Sequence, residues 1–96
     1  MKTIEDIIKD SKPHPLVDGA RQTIYFTPSL KISIVGGAKG LYGDFDKTFE
    51  VAIIDKNTSN FISGYFYPEF SDSYGETMTY LDREQTLKVV NELIKK

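Results

Sequence analysis

"KTFEVAIIDKNTSNFISGYFYP", residues 47–68, decides how many strands the chain builds. Its first part alternates. Phe49, Val51 and Ile53 fall on one side, Glu50 and Ala52 on the other, which is the period of a half-buried strand. "KNTSN" (56–60) is a turn by composition, and "FISGYFYP" (61–68) reads as the return strand of a hairpin. Gly64 marks a bulge in that strand and Pro68 ends it. On this reading Tyr65 and Phe66 alternate within the strand and belong to core packing.

Two further strands lie upstream. In "SLKISIVG" (29–36) Leu30, Ile32 and Ile34 alternate with Lys31 and Ser33, giving one buried and one wet face. "ARQTIYFT" (20–27) precedes it and is stopped by Pro28. Before both, Ile4, Ile7 and Ile8 recur at helical spacing behind Thr3, which can cap the first turn. That helix ends near "SKPHP" (11–15), because Pro13 and Pro15 cannot continue it.

At the far end, Asp82 precedes "REQTLKVVNELIKK", and Gln85 three residues on completes a capping box. Leu87, Val90, Leu93 and Ile94 form an apolar stripe, and Lys95 and Lys96 suit the negative helix end. The order is α-β-β-β-β-α. The expected fold is α+β: a four-stranded, mainly antiparallel sheet with the N-terminal and C-terminal helices on one face, residues 1–96 forming a single domain.

Several function classes find little support. The chain has no Cys, which excludes disulfides and thiolate metal sites, and its one histidine, His14, cannot build a zinc site or a Ser–His–Asp triad. "GGAKGLYGD" (36–44) matches neither phosphate-loop pattern, and a strand follows it where a helix N-terminus would be needed; residues 36–46 read as a mobile loop. Asp44 and Asp46 with Glu50 do not complete a calcium loop. No catalytic residue, cofactor or metal is expected, and the chain does not read as an enzyme. No apolar run approaches the ~20 residues of a membrane span. Glu5 and Asp6 interrupt any secretory signal, so the expected location is the cytoplasm.

Charge is the more informative property. The formal net charge is −2, which gives no reason to expect direct nucleic-acid binding, but residues 44–82 alone carry −6 and hold nine of the twelve aromatic residues. The densest part is "YFYPEFSDSYGE" (65–76), where rings continue past Pro68 into a polar loop. Rings of this kind are enriched at protein interfaces, and surrounding acids steer a basic partner. The candidate partner-binding residues are Tyr67, Glu69, Phe70, Asp72, Tyr74 and Glu76, helped by Asp44 and Asp46 if the two loops meet at one end of the sheet.

"SIVGGAKGLYGDFDKTFEVAIID", with the later "YLDREQTLKVVNEL", resembles small accessory proteins of phages and integrated elements of Gram-positive bacteria. That resemblance implies a small viral protein acting in the bacterial cytoplasm, anti-CRISPR inhibitors being among such proteins. The implied partner is a host protein with a basic surface, such as a CRISPR nuclease, bound by a monomer or dimer. The alternative is a phage structural or replication accessory protein that self-assembles or binds other phage proteins.

Overall fold

The computed structural model describes residues 1–38 and 43–95. Part of the glycine-rich loop (39–42) and Lys96, both assigned roles from sequence, lie outside the described residues. The elements are α1 (Ile4–Lys9), β1 (Lys12–Pro13), β2 (Arg21–Phe26), β3 (Leu30–Gly36), β4 (Thr48–Asp55), α2 (Ser63–Phe66), β5 (Met78–Asp82) and α3 (Arg83–Ile94). The strands form one antiparallel sheet in the order β1-β2-β3-β4-β5. The class is α+β, with five strands and three helices among the described residues where four and two were expected.

The helix ends follow their caps. The Thr3 hydroxyl accepts from the Asp6 amide while the Asp6 carboxylate accepts from the Thr3 amide. Asp82 and Gln85 repeat the arrangement at α3. Both terminal helices pack on the same face of the sheet. Thr23 of β2 donates to the Ile7 carbonyl at 2.6 Å, and the Asn91 side chain closes two hydrogen bonds on the Lys2 backbone. Ile7, Ile32, Ile34, Phe49, Val51 and Ile53 are completely buried between these layers. In β3 and β4 the residues that the alternation sends inward are buried, but Ser33, Ala52 and Ile54 on the other face are buried as well.

Three expectations are corrected. First, the return strand at 61–68 does not form. Pairing begins with the Ile54–Phe61 bridge and the Ile62 amide on the Ile53 carbonyl, then stops. Ser63 replaces the next rung: its hydroxyl accepts from the Ile53 amide at 2.9 Å and donates to the Glu76 carbonyl at 2.8 Å. With the ladder donor satisfied by a side chain, the backbone rolls into α2. Gly64 therefore lies in a helical turn, where its amide donates to the Gly75 carbonyl at 2.8 Å.

Second, β4's neighbour is β5, which the alternation conceals. Phe49 pairs with Leu81 and Val51 with Met78, so three steps of β5 oppose two of β4. The extra residue makes a bulge, with Tyr80 at φ 54, and the buried residues Met78 and Leu81 end up three apart. Third, α3 buries Thr86, Val89, Val90 and Leu93, while Ile94 is exposed and Leu87 half-buried. The inward stripe is thus rotated from the one read in the sequence.

Two substitutions test this packing. Leu93 is fully buried, so Leu93→Ala should cost about 2–5 kcal/mol in denaturant unfolding; a loss under about 0.5 kcal/mol would place α3 off the core. A Cβ on Gly64 would stand 2.7 Å from the Gly75 Cα, against backbone that cannot swing aside. Gly64→Ala should therefore destabilise by about 1–3 kcal/mol, as overpacking does.

Candidate partner-binding site

Residues 63–77 leave the sheet after β4 and return at β5. Three local devices hold them. Ser63 ties the start of the excursion to its end, and the Gly64–Gly75 backbone contact closes its neck. Gly75, at φ +72, occupies the left-handed region that favours glycine. Asp72 organises the turn between: one carboxylate oxygen accepts from the Tyr74 and Glu76 amides, both at 3.1 Å, and the other from the Thr77 hydroxyl. These bonds, the Glu76 amide foremost, hold the Asp72 carboxyl below its ordinary range.

Tyr67 and Phe70 face inward. Their rings stack at 5.9 Å with 10° between planes, and Lys88 of α3 lies over both. The Tyr67 hydroxyl donates to Glu92 at 2.6 Å. Burial, then this bond to a carboxylate, pushes the phenol above its usual value, so it stays neutral and donating. Tyr67 is buried and Phe70 packs against the core, so these two support the surface from beneath.

Tyr65 and Tyr74 do the reverse. They flank the Gly64–Gly75 contact and are 85% and 84% exposed. Sequence reasoning gave Tyr65 to the core because it took the segment for a strand. The sign that could have found it is Ser63-Gly64, a hydroxyl and a missing side chain where a strand needs packing. Glu69 and Glu76, on the same excursion, are exposed, and among the described residues their carboxylates join no hydrogen bond or ion pair.

Asp44 and Asp46 lie elsewhere. Thr48 pairs with Asp82 at one end of the β4–β5 ladder, while Met78, bridged to Ser71, lies at the other. The two acidic loops therefore sit at opposite ends of that ladder and do not meet. Asp46 forms an ion pair with Arg83 at 2.7 Å, and its carbonyl accepts from the same guanidinium. One Asp44 oxygen accepts from the amides of Asp46, Lys47 and Thr48 at 2.8–3.0 Å. Those amides, Thr48 first, hold its carboxyl down to about 2.

Among the described residues no three His, Asp or Glu side chains converge to hold a metal ion. Among them, too, no helix is long and apolar enough to cross a membrane. No protein-family model, curated protein or solved structure matches the chain.

The depressed Asp44 carboxyl carries a pH signature. A carboxylate bound more weakly by protons in the folded state stabilises it above the unfolded value near 3.8. That contribution should be complete at neutral pH and fade as pH falls from about 4 through about 2. Carboxyl carbon shifts followed by NMR should show Asp44 titrating near the bottom of that window, and Asp44→Asn should remove this part of the acid dependence of unfolding.

Proposed function

We propose that the chain works by binding, as a small non-enzymatic inhibitor that lays an acidic aromatic surface against the basic channel of a nucleic-acid enzyme. A host CRISPR nuclease is the kind of target meant. The reading rests on one observation: Tyr65 and Tyr74 stand almost fully exposed on a cross-braced loop that also exposes Glu69 and Glu76, whose carboxylates join no ion pair among the described residues. Exposed rings on a braced backbone supply contact area at little entropic cost. Nearby acids raise the encounter rate with a cationic surface, and channels that hold phosphate backbones are such surfaces. The working residues in this reading are Tyr65, Tyr74, Glu69 and Glu76. Tyr67, Phe70 and Asp72 shape the surface from behind, and Asp44 and Asp46 brace a different loop.

The test compares wild type with Glu69→Lys/Glu76→Lys and with Tyr65→Ala/Tyr74→Ala. All three are used for capture from a Gram-positive lysate and for inhibition of the captured nuclease. Wild type should retain a basic protein and slow its cleavage, more weakly as salt shortens screening below about 8 Å. The charge variant should associate more slowly and the tyrosine variant dissociate faster. Folded variants that capture and inhibit as wild type does would remove this surface from the function.

A further inference from the structure

Where α2 meets the end of the sheet there is a hollow, set apart from the tip of the loop. Leu30 and Asp55 are direct partners across β3 and β4, so their side chains stand on the same, helix-covered face at the end of that ladder. Ile62, Tyr65 and Phe66 come over them, and with Ser29 they line a hollow of about 350 Å³. That is too small for a folded element and large enough for one long side chain. The Tyr65 ring meets Phe66 edge-to-face at 5.4 Å and 77°, a contact that holds it while the residue stays 85% exposed.

Asp55 is the charged group of this hollow, and its backbone is fixed. Its amide donates to the Asn60 carbonyl at 2.9 Å, and its carbonyl accepts from the Ser59 amide at 2.8 Å. The carboxylate Oδ1 accepts from the Asn57 and Thr58 amides at 2.8 and 3.1 Å. Oδ2 joins no hydrogen bond, and the carboxylate no ion pair, among the described residues. The lysines nearest in sequence are turned away. Lys31 falls on the opposite face by the alternation of β3, and Lys56 donates to the Thr27 carbonyl and lies over the Phe26 ring. The hollow thus combines apolar walls, an exposed aromatic ring and a half-buried carboxylate with one oxygen unused.

We propose that this hollow takes an arginine side chain of the protein partner. The methylene stem packs on Leu30, Ile62 and Phe66, and the guanidinium donates to Asp55 Oδ2 while lying on the Tyr65 ring. Arginine fits better than lysine because its planar, weakly hydrated head can meet a ring and a carboxylate together. The proposal rests on the inhibitor reading for its partner, and it names which group of a basic surface the Tyr65 side receives.

A blocked glycine–arginine–glycine tripeptide, titrated from about 0.1 to about 50 mM while amide shifts are followed by NMR, tests the hollow without any nuclease. Saturable shifts should gather at Leu30, Asp55, Tyr65 and Phe66, with a dissociation constant of about 1–10 mM. The matching leucine tripeptide should leave these amides unmoved. Asp55→Asn keeps the Oδ1 acceptor of the turn and should weaken binding about tenfold or more. Tyr65→Ala should weaken it about two- to fivefold. No saturable shift with the arginine peptide overturns the proposal, as does equal binding of the leucine peptide or unchanged binding by Asp55→Asn. If the peptide binds as described while wild type captures no basic protein, the hollow stands and the inhibitor reading fails. If capture succeeds and the peptide does not bind, the hollow alone fails.

Discussion

The Ser63 hydroxyl decides the shape of the second half of the chain. It accepts from the Ile53 amide in the centre of the molecule and donates to the Glu76 carbonyl thirteen residues further on. Without it, a β4 donor would need a backbone partner, and continuing the hairpin from Phe61 would be the obvious supply. With it, residues 63–77 leave the sheet, and β5 takes the ladder position that the hairpin's return strand would have filled. Ser63 is completely buried, so an unpaired group there would carry the full desolvation penalty. Tyr65 and Tyr74 owe their exposure to this arrangement, because a return strand would have paired the first of them into the sheet.

A second constraint is layering. α1 and α3 share one face, joined through Asn91 and Lys2, and between them they bury the alternating residues of β2, β3 and β4. The helices cover one face of the sheet, and on the other Ser33, Ala52 and Ile54 are buried as well. That second face carries apolar residues on the same three strands, so the alternation in the sequence selects which side chains meet the helices without making the rest polar. The molecule thus offers two unlike surfaces: a charged, aromatic loop and this largely apolar sheet face.

Features set by neighbours in sequence were legible from it. The two capping boxes, the alternation in β3 and β4 and the Asp55-led turn each depend on residues within a few positions of one another. What stayed hidden depends on long-range partners. β5 is masked by its own bulge, since one extra residue shifts Leu81 out of step with Met78. The inward face of α3 includes Thr86, a residue that hydropathy reads as polar and whose hydroxyl lacks a hydrogen-bond partner among the described residues. The candidate site was legible as a segment and misread in detail. Asp44 and Asp72 look like charges ready for a partner, yet each carboxylate is engaged by amides of its own turn. Tyr67 and Phe70 look like interface rings, yet α3 covers them.

The central claim is that the exposed tyrosines stand on a loop fixed before any partner arrives. Backbone hydrogen exchange of the free protein, read at the Ile53 and Gly64 amides, tests it most directly. The first donates to the Ser63 hydroxyl and the second to the Gly75 carbonyl. If the loop is braced as described, both should exchange as slowly as the central amides of β3 and β4, through global unfolding. Exchange of Gly64 near the rate of an unprotected amide would mean that the neck opens freely, and that the tyrosine surface is not preformed.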